Sequence, residues 1–400
     1  MKSLPKRTQL HSHKNLKVEK IDRLTIMKFT VDSSVLTDSV QWVSRSLSTR
    51  PIMTALLGIV IDVDGDVTLS ASDLETSAKS SFKAEIKEKG RVLVPGRLLA
   101  EISRSLPNKP TTFTLDGNRV QVNSGSAKFA LPTLPLNEYP NLPKLPNTSG
   151  MIASDIFATA VNQVAIAAGR DDSLPTLTGI HIEVNKNTIT MAATDRYRLA
   201  VREIPWTPTD PELTTSALLR ARTLADAART IATTKELSFA IAPTTATERL
   251  IGFATESKSM TSRQLDGTFP PYKHLIPSES ASSATIEVAE LLEAVRRVAL
   301  VTEKNTPLRF RCGATLQLEA GVKDEAQATE ELAISYKGEP LEIAFNPNYL
   351  IDGLSALGTT YVHIGFTASN RPAILAGKNS LDGQIEGSYR YLLMPMQFAS

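Results

Sequence analysis

The chain of 400 residues contains one cysteine and two tryptophans, and it lacks long apolar runs. A single cysteine, Cys312, excludes an internal disulfide and indicates a reducing compartment. No run approaches the ~18–20 apolar residues that a membrane-spanning helix requires. The first residues also lack the apolar core of a secretory signal. These absences predict a cytoplasmic protein in which Cys312, within an alternating run, is a small buried residue rather than a nucleophile.

Catalytic motifs are absent as well. The sequence has no phosphate-binding glycine loop, dinucleotide fingerprint, HExxH, GxSxG or paired-cysteine motif. Its five histidines, at positions 11, 13, 181, 274 and 363, form no cluster with metal-ligand spacing. No catalytic residue, metal or cofactor is therefore predicted. An enzyme of unrecognised type remains one alternative, and an interaction scaffold that does not touch DNA remains another.

The net charge of +2 hides an uneven distribution. Residues 1–26 carry seven Lys or Arg and two Asp or Glu, a net of +5, whereas the remainder carries 37 basic and 40 acidic residues, a net of −3. The leader is polar and aperiodic, and we predict that it is disordered. The overall charge by itself makes no case for nucleic-acid binding.

The remainder of the chain repeats one order of elements three times. Three predicted helices align at Pro95, Arg220 and Asn346, which are 125 and 126 residues apart. The same alignment superimposes a set of leucines and a set of acids, namely Leu99, Leu224, Leu350, Glu101, Asp226 and Asp352. The repeat predicts three copies of an α+β domain of about 125 residues, each with two helices and about eight antiparallel strands.

Proline-rich stretches separate the copies. Residues 131–150 contain five prolines, and residues 265–277 form a similar loop. The predicted units are a disordered leader and three domains, at residues 1–26, 27–147, 148–278 and 279–400. Within the second domain, residues 217–232 are predicted to be a helix.

The stretch Thr190–Val201 reads as a hairpin. Alternating strands flank a break at Asp195–Arg196, where short polar side chains suit a tight turn. A related turn, at Asp73, occurs 122 residues earlier, as the repeat requires. The hairpin fixes Arg198 and Leu199 beside the turn. On composition alone it is a structural feature only.

Two motifs make the pattern more specific. The ATDRYRLA turn at residues 193–200 and the terminal YLLMPM at residues 391–396, within three repeats, resemble the bacterial DNA polymerase III sliding clamp (beta subunit) family over about residues 27–398. The resemblance implies a non-catalytic processivity factor whose three-domain chains close head-to-tail into a dimeric ring. Strands would form the outer wall, and twelve helices would line a hole for duplex DNA.

The resemblance also implies partners. They are double-stranded DNA bound without sequence preference, a second copy of the chain, the replicative polymerase alpha subunit, the clamp loader, and other polymerases and repair proteins that carry short linear motifs. No membrane is implied. A loader would have to open the ring, because the chain has no nucleotide-binding motif.

A peptide-binding cleft between the second and third domains is the second implication. Carried over residue by residue, its walls are Leu177, Thr194, Arg198, Leu199, Pro270, His274, Leu275, Asn346, Tyr349, Pro372, Leu392, Met394, Pro395 and Met396. Met and Leu suit a site that accepts different peptides, because they repack easily. The simpler alternative is that Leu199, Leu392 and Met394 are ordinary core. The chain departs from the family pattern at Arg196–Tyr197, His274 and Gln397, which affects the polar rim.

Ten arginines on or beside the predicted helices are candidate phosphate contacts, and their binding would be sensitive to salt. They are Arg45, Arg50, Arg97, Arg104, Arg170, Arg220, Arg222, Arg229, Arg296 and Arg297. For each of them a solvated helix face is an equal alternative. The resemblance places the dimer interface at Leu98, Phe129, Leu300 and Val301.

Overall fold

The computed structural model describes residues 27–232, 234–242, 248–277, 279–303, 306–321 and 326–397. The predicted disordered leader, residues 1–26, lies outside this part of the chain. Within the described ranges, no helix is long and apolar enough to cross a membrane.

The first repeat folds into two helices and nine strands among the described residues. The helices are α1 (Ser33–Ser44) and α2 (Gly96–Ser105). The strands are β1 (Lys28–Asp32), β2 (Gly58–Asp64), β3 (Asp66–Ser72), β4 (Thr76–Phe82), β5 (Glu85–Glu88), β6 (Gly90–Pro95), β7 (Pro110–Asp116), β8 (Arg119–Ser124) and β9 (Ala127–Pro132).

The second repeat has the same content. Its helices are α3 (Ser154–Ala165) and α4 (Ala221–Ile231). Its strands are β10 (Gly150–Ala153), β11 (Gly179–Asn185), β12 (Thr188–Thr194), β13 (Arg198–Pro205), β14 (Thr207–Pro208), β15 (Thr214–Arg220), β16 (Glu236–Ile241), β17 (Leu250–Ala254) and β18 (Lys258–Arg263).

One helix prediction needs correction here. Residues 217–220, predicted as the start of a helix, belong to strand β15, and α4 begins only at Ala221. Ala and Leu favour helices, but Ala217, Leu218 and Leu219 are all buried and pair with β11. Tertiary pairing therefore overrides the local propensity.

The third repeat again contains two helices and nine strands in the described ranges. The helices are α5 (Val288–Val298) and α6 (Pro347–Ala356). The strands are β19 (Ser282–Glu287), β20 (Leu308–Cys312), β21 (Thr315–Gly321), β22 (Gln327–Ala333), β23 (Ser335–Lys337), β24 (Leu341–Phe345), β25 (Tyr361–Phe366), β26 (Ala373–Lys378) and β27 (Glu386–Leu393).

The register of the predicted repeat is confirmed. Pro95, Arg220 and Asn346 are each the N-cap residue of the second helix in their domain. The three leucines aligned with them, Leu99, Leu224 and Leu350, are all fully buried. The same position thus anchors the second helix to the core in each domain. Two helices per domain are as predicted, and nine strands replace the eight expected.

Adjacent domains are joined by strand pairing. One nine-stranded sheet crosses from the first domain to the second where β4 pairs with β18, and another crosses from the second to the third where β13 pairs with β27. The remaining sheets, of five and four strands, belong to the first and the third domain, respectively. The two seams bring residues from different domains into direct contact, and the candidate site lies at the second seam.

Candidate peptide cleft and nucleic-acid interface

The turn between β12 and β13 is built by its own side chains. One carboxylate oxygen of Asp195 accepts hydrogen bonds from the backbone N–H groups of Tyr197 at 3.0 Å and Arg198 at 3.1 Å. The Thr194 hydroxyl donates to the Arg198 carbonyl oxygen at 2.7 Å. Arg196 has a φ of 79°, a conformation that non-glycine residues rarely adopt. The Thr-Asp pair therefore supplies the bonds that hold this tight turn.

Arg198 is a buried cation held by both domains. Its side chain is 5% exposed. Its Nε donates to Oδ2 of Asp195 at 2.9 Å, and its Nη1 donates to Oδ2 of Asp352 on α6 at 2.6 Å. Burial by itself would lower the pKa of Arg198, but Tyr391, Asp352 and Asp195 together raise it above its ordinary value. The guanidinium is therefore charged and fixed between the second and third domains.

The same guanidinium lies against an aromatic ring. Its Cζ is 4.3 Å from the ring centroid of Tyr349, a cation–π distance. Asn346 caps α6 by accepting hydrogen bonds from the N–H groups of Asn348 and Tyr349, which fixes the first turn that carries the ring. The ring of Tyr197 stacks at 6.3 Å from Tyr349. The result is a wall made of an arginine and two tyrosines.

This wall borders a cavity of about 630 Å³ at the junction of the two domains. Its lining comes from the segment after α3, the β12–β13 turn and α6. The lining residues are Ala168, Gly169, Arg170, Asp171, Leu174, Leu177, Asp195, Arg196, Tyr197, Arg198, Asn348, Tyr349 and Asp352. Three of the fourteen predicted cleft residues, Leu177, Arg198 and Tyr349, thus share one cavity.

An apolar cluster lies beside this wall. Leu199 of β13 pairs directly with Leu392 of β27, and the two side chains are 2% and 3% exposed. They belong to a cluster that is separate from the main core and consists of Ala192, Leu199, Val201, Leu218, Phe269, Tyr272 and Leu392, with Leu265 and Ile276 packed against it. Met394 and Leu275 remain 38% and 42% exposed. The site thus has a buried apolar floor, and two exposed apolar residues, Leu275 and Met394, lie within three positions of floor residues in the sequence.

The chain terminus is tied to this region by backbone bonds. The N–H of Met394 donates to the Tyr197 carbonyl oxygen at 2.9 Å, and the N–H of Met396 donates to the Ala344 carbonyl oxygen at 2.8 Å. These bonds place the terminal motif beside the β12–β13 turn. Thr194, Pro395 and Met396 are half-buried.

The remaining predicted cleft residues lie on loops that flank the second seam. Pro372 immediately precedes β26, whose first residue pairs with Leu393. Pro270 is half-buried next to the clustered Phe269, and His274 is exposed in the short turn that contains Leu275. These positions are near the apolar cluster, and Pro270, His274 and Pro372 do not line the cavity itself.

Sequence reasoning missed several residues of this site. Asp352 was recognised only as a repeat position, and Asp195 only as a turn residue, yet both hold Arg198. Arg170, a candidate phosphate contact, also lines the cavity. The signal that could have found Asp352 is the arginine in an otherwise apolar strand, RLAV, because a buried cation requires carboxylate partners.

The ten candidate arginines are all exposed, but the structure divides them into two groups. Six already have protein partners. Arg220 pairs with Asp172 at 3.0 Å, Arg229 with Asp226 at 3.7 Å and Arg296 with Glu293 at 2.8 Å. The other three bonded arginines are Arg297 with Glu330, Arg104 with Gln41, and Arg45 with Thr230 and the Asp226 carbonyl oxygen.

The other four arginines have no hydrogen-bond or ion-pair partner among the described residues. They are Arg50, Arg97, Arg170 and Arg222. An exposed guanidinium without a carboxylate partner keeps its full charge available for a phosphate. These four are therefore the best placed of the ten to contact a polyanion.

The five-stranded sheet of the first domain and the four-stranded sheet of the third domain each present an unpaired strand edge. In the described part of the sheets, β9 has a neighbouring strand only in β8, and β22 only in β21. Phe129 lies on β9, and Leu300 and Val301 follow α5, which packs against β22. Leu98 and Leu300 are 42% and 84% exposed, and Phe129 and Val301 are half-buried. An exposed leucine beside an open strand edge is typical of a surface that another chain covers.

The described residues contain no group of three or more His, Cys, Asp or Glu side chains that could hold a metal ion. Cys312 is buried, and burial raises the pKa of its thiol to about 12. This agrees with its interpretation as a small core residue.

Family comparisons cover nearly all of the described chain. Residues 27–143, 151–271 and 273–397 match the models of the N-terminal, central and C-terminal domains of the DNA polymerase III beta subunit. A beta sliding clamp from Streptomyces coelicolor is 46% identical over 376 residues, which span 93% of this chain and 100% of that protein.

Solved structures show the same similarity in three dimensions. The DNA polymerase III beta subunit of Thermotoga maritima is 26% identical and superimposes with a TM-score of 0.84, over 93% of this chain and 100% of that one. A sliding clamp from Pseudomonas aeruginosa, solved bound to griselimycin, is 25% identical with a TM-score of 0.83, over the same shares of the two chains.

Proposed function

The chain belongs to the DNA polymerase III beta subunit family and is a DNA sliding clamp, and from this premise we propose that its partner-binding cleft is the site around Arg198 and Leu199. A sliding clamp encircles duplex DNA as a dimeric ring and tethers the replicative polymerase and other partners by short peptide motifs. It catalyses no reaction, because its contribution to replication is topological.

One observation carries the proposal of the cleft. Arg198, which lines the cavity, and Leu199, which belongs to the apolar cluster, are successive residues of β13 that pair with Leu393 and Leu392 across the seam, so the cavity and the cluster adjoin the same strand. A peptide with leucine and phenylalanine anchors could bury these side chains against Leu199, Leu275 and Met394. Each anchor would contribute roughly 1.5–3 kcal/mol by area. After ordering costs, a short peptide would then bind with about micromolar affinity.

Photo-crosslinking tests this location directly. The probe is a peptide from the tail of the polymerase alpha subunit in which the phenylalanine anchor is replaced by benzoylphenylalanine. Mass spectrometry should locate the crosslinks on Leu275 or on Met394–Met396. Crosslinks confined to the first seam, for example at Met260, would place the cleft elsewhere.

The DNA interface is proposed on the same premise. Support comes from the four arginines that lack partners among the described residues, because they can contact a phosphate without first breaking an existing ion pair or hydrogen bond. Arg229, Arg296 and the other bonded arginines would contribute less, since each would have to exchange an existing partner for a phosphate.

The dimer interface is proposed between the five-stranded sheet of the first domain and the four-stranded sheet of the third domain of a second copy. Strand β9 carries the exposed Lys128, and strand β22 carries the exposed Glu331, whereas Glu330 on β22 is already paired with Arg297. Their open edges and opposite charges favour pairing of β9 with β22 of a second copy, with Leu300 covered in the contact. A head-to-tail dimer forms this contact twice.

Two further proposals follow from family membership. The domain boundaries are proposed to lie near residues 147 and 278, between the last strand of one domain and the first of the next. A cytoplasmic location is proposed because a replication clamp must reach the chromosome, and fractionation of cells with an antibody against the chain would test it.

A further inference from the structure

The two seams of the chain carry equivalent cavities. A cavity of about 290 Å³ lies at the first seam. The repeat register places five of its lining residues, Asp73, Thr76, Arg222, Thr223 and Asp226, opposite Asp195, Arg198, Asn348, Tyr349 and Asp352 of the second seam. The first seam is therefore an internal reference for what is specific to the second.

Both seams have an aspartate at the same position of the second helix, Asp226 and Asp352, but the arginine bonded to it comes from a different element at each seam. At the first seam, Arg45 at the end of α1 bonds to the carbonyl oxygen of Asp226, and the strand position holds Thr76 instead of an arginine. At the second seam, Arg198 comes from the strand itself and bonds to the Asp352 carboxylate. Among the described residues of the two seams, the second arrangement alone places a guanidinium over an aromatic ring, that of Tyr349.

The position of Asp352 makes it the exposed half of this pair. Its side chain is 41% exposed, whereas that of Arg198 is 5% exposed. Asp195 already accepts from Nε of Arg198, and among the described residues the one partner of Nη1 besides Asp352 is the Tyr391 hydroxyl at 3.5 Å. Without the Asp352 carboxylate, Nη1 would be a buried donor with a single weak contact, and the guanidinium would gain by turning toward water.

We propose that Asp352 is a positioning residue of the peptide cleft, which holds Arg198 against Tyr349 so that the cleft wall is formed before a peptide arrives. The inference rests on the proposed location of the cleft. Asp352 itself need not touch the peptide. Its effect is preorganisation, because a peptide that meets a formed wall does not have to order Arg198 and Tyr349 as it binds.

The test is a double-mutant cycle in peptide affinity. The full-length dimer is titrated with a fluorescein-labelled peptide from the polymerase alpha subunit tail, and anisotropy is followed. Asp352→Asn should weaken binding about tenfold, and Asp352→Glu should restore most of the loss. In an Arg198→Ala background, Asp352→Asn should cause no further change, because the group on which it acts is gone.

The equivalent acid of the first seam provides the matched control. Asp226→Asn makes the same chemical change at the same helix position, and it should leave peptide affinity within about twofold of the original. Circular dichroism and scattering mass confirm that each variant is a folded dimer.

Each outcome decides a different statement. Unchanged binding by Asp352→Asn overturns the positioning role, and so does an equal loss in the Arg198→Ala background, which would indicate direct peptide contact. If the unmodified clamp does not bind the peptide, or if Leu199→Ala binds it normally, the location of the cleft itself is wrong.

Discussion

Leu199 of the second domain and Leu392 of the third are paired neighbours in one β-ladder, although 193 residues separate them in the chain. Their apolar cluster is separate from the main core; six of its seven residues belong to the second domain, and the third domain completes it with Leu392. Peptide binding should therefore report on the integrity of the second seam, and this is the basis of the first prediction.

Leu199→Ala should weaken binding of the polymerase-tail peptide by about tenfold or more, because the floor under an anchor is lost. Removing a buried leucine also costs stability, roughly 2–5 kcal/mol, so urea unfolding must be measured beside the titration. Leu381→Ala, on an exposed hairpin, is the matched control and should bind normally. Normal peptide binding by folded Leu199→Ala would contradict the proposed floor.

Charge at the proposed dimer interface should give a folded monomer. Leu300→Glu with Val301→Glu would bury unpaired carboxylates in the contact, at several kcal/mol each. Scattering should show half the mass, and the variant should not be retained on circular DNA. Ile52→Glu changes an equally exposed residue, 80% against 84%, in the first domain and should stay dimeric. A double variant that keeps the dimer mass would place the interface elsewhere.

The two groups of arginines should differ in their effect on DNA retention. Arg97→Ala with Arg222→Ala removes two arginines that lack partners in the described structure, whereas Arg229→Ala with Arg296→Ala removes two that are paired. If each free arginine contacts one phosphate, the slope of log affinity against log salt falls by about 0.9 per residue removed. Both slopes are obtained by measuring the affinity of the ring for circular DNA at several salt concentrations. Equal slopes for the two pairs would show that the existing ion pairs do not limit contact with DNA.

Cys312 should respond to pH through its burial. Its pKa is raised to about 12 by desolvation, above its value in an unfolded chain, so the neutral thiol is favoured in the folded state. The resulting stability is fully present below the unfolded pKa, near 8.5, and is lost as the pH rises toward 12. In urea-unfolding series, Cys312→Ala should lose less stability than the original between pH 9 and 11. Iodoacetamide at pH 8 should label the folded protein only slowly, and rapid labelling would show that the thiol is accessible.

Residues 1–26 are predicted to be dispensable for folding. They are polar and basic, and they have too little apolar surface to offset the entropy of ordering them. Deleting them should leave the melting temperature and the dimer mass unchanged. A clear drop in either would show that this segment packs on the ring.

The sequence by itself determined the repeat and its register. The alignment of Pro95, Arg220 and Asn346 follows from hydrophobic periodicity and spacing, which are local properties of the chain, although the start of α4 was predicted four residues too early. The Asp195 turn was equally readable, because its bonds join residues no more than four positions apart. The fold class followed from these local patterns, and the family from the resemblance of the ATDRYRLA and YLLMPM motifs within the three repeats.

Only the tertiary structure decided which charges are already paired and which are free. It showed that Asp352 is the second partner of Arg198, 154 residues away, and that Arg297 forms an ion pair with Glu330. It also turned residues 217–220 from a predicted helix into a strand by pairing them with β11. Spacing along a chain describes one element at a time, whereas an ion pair or a strand ladder depends on the distance between two elements, which exists only after the domains have packed.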